Sequence, residues 1–192
     1  MDAAGNVSDP SEAVAATVAP AVSRTTVTLP ARADTMVAEN NASGGYGTYN
    51  QLSTRAPGSA NELQSYLRFD LSGVPADATL VSATLKVSTS NDPTAASTGS
   101  SPVRLVGGSW SEDSTVWTNR PTDLGTKVGE LSSAPQLNTA YTVDLDVSAL
   151  RTDSNGSLSL ALLGSSSDNL RLGSREAASA AARPQLVVVY ER

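Results

Sequence analysis

Histidine and cysteine, which carry much of the acid–base, nucleophilic and metal chemistry near neutral pH, are both absent from this chain. Their absence removes Ser-His-Asp and Cys-His catalysis, structural zinc, haem ligation through His and iron–sulfur clusters. Carboxylates, tyrosines and arginines remain. The close carboxylate pairs are Glu112 with Asp113 and Asp144 with Asp146. On a strand, Asp144 and Asp146 would share one face with Cα atoms roughly 6.5–7 Å apart, a separation that glycoside hydrolysis tolerates and that any solvated strand also shows. With no His and no framed cleft, these pairs are read as non-catalytic. Asp34, at the start of an expected strand, is the best single ligand for a hard cation such as structural Ca2+, with Asp168 and Asn169 assisting from a loop. The rival reading is that these side chains cap turns. Tyr46 and Tyr49 sit in the Gly-rich stretch around Gly44–Gly47. There they can stack on the C–H faces of pyranose sugars or simply close one end of a sandwich.

The elements that must position these residues are strands. Alternation with a period of two runs through Thr25–Leu29, around Leu67, Phe69 and Leu71, and through Leu80–Ser90. It returns in Tyr141–Val147, Ser157–Leu163 and Gln185–Tyr190. Gly44-Gly45, Asn91-Asp92-Pro93, Gly107-Gly108 and Asn155-Gly156 punctuate the runs as turns. The one helical turn expected is Val147–Leu150 after Asp146. Many short strands separated by polar loops predict an all-β, antiparallel β-sandwich of jelly-roll type over 24–192. If Leu67, Phe69 and Leu71 face its core, then Tyr66, Arg68 and Asp70 line the outer face. That face offers Tyr66 and Arg68 to a ligand, although a structural role for Arg68, such as an ion pair with Glu176, is the favoured reading. Trp110 and Trp117 are read as core anchors.

Composition narrows the partners. The 192 residues carry 13 basic and 19 acidic side chains, for a net charge of -6, and the basic residues form no stripe for phosphates, so nucleic acid is not expected. No apolar run approaches the ~20 residues of a membrane span.

Four ordered blocks carry a family resemblance. They are Ala33-Asp34-Thr35-Met36-Val37 with the following Gly-rich loop; Tyr66–Leu71 with Val81–Leu85; Ser109–Pro121, which contains both tryptophans; and Gly173–Ala177 with Arg183-Pro184-Gln185-Leu186. Together they resemble the DNRLRE-type domain, also grouped as carbohydrate-binding module family 96, across about residues 31–190. The resemblance implies a β-jelly-roll and a non-catalytic module that anchors an appended secreted enzyme to polysaccharide, alginate being the ligand best associated with the family. Arg175 and Glu176, inside a family block, join Tyr46, Tyr49, Arg55, Tyr66 and Arg68 as binding candidates. Yet a uronate polymer calls for clustered cations. The stretch Met36–Thr54 has none and is flanked only by Arg32 and Arg55. A neutral glycan is therefore favoured, and a spacer or cell-surface adhesion module without a glycan ligand is the alternative. The first 18 residues resemble the final strand of a fibronectin type III domain, joined by a linker at 19–23. This implies a secreted, multimodular bacterial parent.

Overall fold

The structure, a computed structural model, describes Ala4 and residues 22–192. Ala4 apart, the expected type III remnant and the linker up to residue 21 lie outside the described residues. Eleven strands follow in order: β1 (Arg24–Pro30), β2 (Ala33–Ala38), β3 (Gln51–Thr54), β4 (Leu63–Asp70), β5 (Thr79–Ser88), β6 (Ser101–Val106), β7 (Leu124–Leu131), β8 (Ala140–Leu145), β9 (Ser157–Leu163), β10 (Leu170–Gly173) and β11 (Gln185–Glu191). One sheet has the order β1-β11-β5-β8, a second has β2-β4-β9-β6-β7, and β10 and β3 form a separate two-stranded ribbon. All pairings are antiparallel. Setting aside β2, β3 and β10, the remaining eight strands stack as first-eighth-third-sixth against second-seventh-fourth-fifth. That is the order two Greek keys produce in a jelly roll.

Alternation builds the core. Leu158, Leu160 and Leu162 of β9 point inward beside Leu67 and Phe69 of β4, facing Leu85 and Val87 of β5 and Leu186 and Val188 of β11. These side chains are fully or almost fully buried, and each of this size stabilises the fold by about 1.5–3 kcal/mol through removal from water. The expected turn at Val147–Leu150 is present as a turn rather than a helix, with Asp146 accepting from the Ser148 N–H and hydroxyl. Asp144 remains on the β8 surface, accepting from Thr84, while Asp146 lies past the strand end. The two acids therefore do not form a framed pair.

The outer face of β4 corrects one expectation: it is not open. The loop carrying Trp110 folds over β4 and β9, and Tyr66, Val37, Ala33 and Ala161 pack beneath the indole as a second small core. Tyr66 is completely buried, its ring 6.0 Å from that of Trp110, and its hydroxyl donates to Gln64 Oε1 at 2.6 Å and lies 3.2 Å from Pro121 O. Burial pushes its phenol up to about 12. Arg68 lies over the indole at 4.4 Å and donates to Trp110 O at 2.5 Å, while the indole N–H donates to Ser159 Oγ at 3.2 Å. Tyr66 and Arg68 are thus fold-holding residues, and Arg68 pairs with Trp110 rather than Glu176. Trp117, half-buried at the edge of this cluster, is capped by Arg120 at 3.6 Å.

Candidate functional site

Two clusters of polar side chains gather near the ribbon, one around Tyr46, Tyr49 and Arg55 and one around Asp34. In β3, Leu52 and Thr54 face inward, so Gln51, Ser53 and then Arg55 face out. In β10, Leu170 and Leu172 are buried, which turns Arg171 and Gly173 outward. The register sets Arg171 opposite Ser53 and Gly173 opposite Gln51, so these residues share the face away from the core, on which Ser53 and Gly173 are themselves buried.

Over one end of that face lies a groove of about 310 Å3 that includes Tyr46, Tyr49, Arg55, Asn61, Asn169 and Arg171. Tyr46 and Tyr49 meet edge to face, with centroids 4.9 Å apart and planes at 80°. Tyr46 is half-buried and held by Asn41, whose amide donates to its hydroxyl at 2.9 Å. Tyr49 is 50% exposed, and it is one of only three large hydrophobic side chains so exposed among the described residues. Its backbone is clamped: Tyr49 N–H donates to Tyr46 O at 3.1 Å, and Ser174 Oγ donates to Tyr49 O at 2.6 Å. Glycine is required at position 47, where a Cβ would stand 2.1 Å from Glu112 O. The Gly-rich loop is thereby pressed against the neighbouring loop and presents a fixed ring.

The guanidinium groups in the groove differ. Arg171 is ion-paired to Asp92, and the Asn169 amide, oriented with its carbonyl toward the cation, accepts from Arg171 Nε at 2.8 Å. Among the described residues Arg55 has no ion pair, and its Nε is buried without a hydrogen-bond partner. A buried N–H of this kind costs about 1–3 kcal/mol until something accepts from it. Proximity in sequence could reveal Tyr46, Tyr49 and Arg55 together. Arg171 is not legible as their neighbour in the sequence, because only the pairing of β3 with β10 brings it here. Asn169, expected as a metal ligand, belongs to this groove.

The second constellation gathers Asp34, Glu112 and Glu176, with carboxylate oxygens within 4.8 Å of one another. Asp34 lies on β2, at the sheet edge, and is 1% exposed. Its N–H donates to Glu112 Oε1 at 2.8 Å and its Oδ2 accepts from the Arg175 N–H at 2.7 Å. Arg175 Nη1 reaches Glu112 Oε2 at 2.8 Å and Glu176 Oε1 at 3.1 Å. Ser174 Oγ lies 3.2 Å from Glu176 Oε2. Burial, reinforced by the charges of Glu176 and Glu112 and opposed by Arg175, pushes the Asp34 carboxyl up to about 7.

In this arrangement the acids are balanced by Arg175. Ca2+ takes six to eight oxygens, whereas here Arg175 Nη1 bridges Glu112 and Glu176, and five of the six carboxylate oxygens already have partners within the cluster or from Ser174. Asp168 and Asn169 are not among Asp34's carboxylate neighbours; Asp168 accepts from the N–H of Asn169 in its own loop. Glu176 connects to the groove only through Ser174 and the Tyr49 carbonyl, while Arg175 lines a separate groove with Arg32 and Arg183.

The sequence finds no match among curated proteins. Against family models, residues 25–190 match carbohydrate-binding module family 96, which spans every strand described above almost end to end. The match covers most of the chain and the whole jelly roll, and the chain belongs to carbohydrate-binding module family 96.

Proposed function

We propose that this domain is a non-catalytic polysaccharide-binding module whose Tyr49 groove takes a sugar, and that it tethers an attached secreted enzyme to its polymer. Family membership supports the carbohydrate part of this reading. The observation that carries the site is the pairing of a half-exposed Tyr49 ring with the unpartnered Nε of Arg55 in one groove. A pyranose stacks its C–H face on the ring while a ring substituent accepts from Arg55. Tethering raises the local concentration of the partner enzyme without adding a contact of its own.

The same groove changes the favoured ligand. The preference for a neutral glycan rested on the absence of cations from Met36–Thr54, but the fold adds Arg171 from β10, and Arg171 alone is balanced by an acid. One guanidinium is left over, so a sugar bearing a carboxylate suits the groove better than an uncharged one.

The test is affinity electrophoresis of the domain through gels containing alginate, pectin, xylan, β-glucan or agarose. Retardation by a uronate polymer is expected, and Tyr49→Ala and Arg55→Gln should each weaken it at least about tenfold, the loss of one well-placed contact, with melting temperatures close to that of the parent. Retardation by a neutral polymer alone would overturn the carboxylate assignment. Retardation by none would favour a spacer or adhesion role.

A further inference from the structure

We propose that a second sugar subsite adjoins the Tyr49 groove along the ribbon and binds the hydroxyl groups of a further sugar in the same chain through side-chain amides. The inference rests on the polysaccharide reading above. A second groove, also of about 310 Å3, shares Asn50 and Gln51 with the first and continues over the Gly173 end of the ribbon. The register makes this continuity physical, since Gln51 lies opposite Gly173 and Ser53 opposite Arg171 on one outward face.

The second groove has a different chemistry. It contains no charged side chain and no aromatic ring; its polar groups are the amides of Asn50, Gln51, Asn91 and Asn138 with the hydroxyls of Thr89, Ser90 and Ser179. None of those four amides is engaged in a side-chain hydrogen bond among the described residues, whereas Asn41, Gln64 and Asn119 each bond within the fold. Free amides offer both donors and acceptors, which matches vicinal hydroxyls and not a carboxylate.

The wall is also built to hold its shape. Asn138 has φ 47°, the one non-glycine residue in the left-handed region among the described residues. It is kept there by Asn138 N–H donating to Ser90 O at 3.1 Å. Thr89 Oγ1 lies 2.7 Å from Gln136 O and 3.2 Å from Thr139 O, clamping the loop on either side. Strain of this kind persists where surrounding contacts over-determine it, and it is concentrated at binding sites. Leu137, the residue before it, is another of the three exposed large hydrophobics. On the opposite wall, a Cβ at Gly173 would stand 2.5 Å from Ala182 O, so glycine lets that wall close against β10. A chain lying on the ribbon would therefore meet an aromatic and cationic subsite first and an amide subsite next. The module would then read the interior of a polymer rather than its end.

Isothermal titration of the domain with oligomannuronates and with xylo-oligosaccharides, each of two to six sugars, tests this. In the ladder that binds, affinity should rise about tenfold between the disaccharide and the oligomer long enough to reach the second groove, as one or two added hydrogen bonds predict. Asn138→Gly, which keeps the left-handed backbone accessible, and Asn91→Ala should each bring the longer oligomers down toward the disaccharide's affinity. Affinity that does not change with length, or a rise that survives in both variants, would overturn the second subsite and leave the Tyr49 groove standing. Failure of both ladders at every length would overturn the polysaccharide reading and this inference together.

Discussion

Asp34 is held near the midpoint of its ionisation by burial, and that has a measurable sign. Its carboxyl titrates at about 7 in the fold against an ordinary value of 3.8, so the native state retains a proton that the unfolded chain gives up. Stability from this group is full below about pH 4 and is lost as pH rises through 7, on the order of 4 kcal/mol in total. The carboxylates held low by their neighbours, Asp70, Asp92, Glu130 and Asp146, act only at lower pH and in the opposite direction. The melting temperature should therefore fall between pH 5 and pH 8. Asp34→Asn, which keeps an oxygen for the Arg175 N–H, should remove that slope and melt about 5 °C or more above the parent at pH 8. Parallel melting curves for the two proteins would show that Asp34 is ionised throughout. The sequence marks Asp34 as the unusual acid, but its partners could not be read there. Glu112 and Arg175 lie 78 and 141 residues away, and only the fold brings the Glu112 carboxylate to the Asp34 N–H and the Arg175 backbone N–H to the Asp34 carboxylate.

At the level of elements, the strands that alternate cleanly are legible, and the two that matter most for binding are not. β9 spans the residues its alternation predicts, Ser157–Leu163. β3 and β10 have four residues each, too short for a period of two to rise above its surroundings, and their partnership is entirely non-local. The outer face of β4 misleads for another reason. Its polar positions look solvated in isolation, yet Tyr66, Arg68 and the loop around Trp110 cover one another there. A large aromatic among those outward positions was the available signal. Trp110→Ala should destabilise the domain by about 3–5 kcal/mol in denaturant unfolding, since it empties the small core and removes the ring under Arg68 and the indole N–H that Ser159 accepts. A change below about 1 kcal/mol would show that the loop is not part of the cooperative unit.

For the whole molecule, the all-β class and the family followed from the order of turns, alternations and blocks, because those are local properties of the chain. The charge balance of the groove did not, because a net charge of -6 says nothing about where Arg55 and Arg171 meet. The guanidinium-centred acid cluster predicts that the fold does not depend on a divalent ion: excess EDTA should leave the thermal melt where it was, and a drop of several degrees would reveal a bound cation. The pairing of β1 with β11 has one last consequence. Ser23 and Arg192 exchange backbone hydrogen bonds at 3.2 Å in each direction, and Arg24 stands opposite Glu191, so the two ends of the domain leave it side by side. Tension pulled between those ends bears on the Ser23–Arg192 pair first and then opens the ladder rung by rung, as a zip rather than in shear. A load applied between residues 23 and 192 would therefore be resisted by single backbone hydrogen bonds in turn rather than by the whole ladder at once.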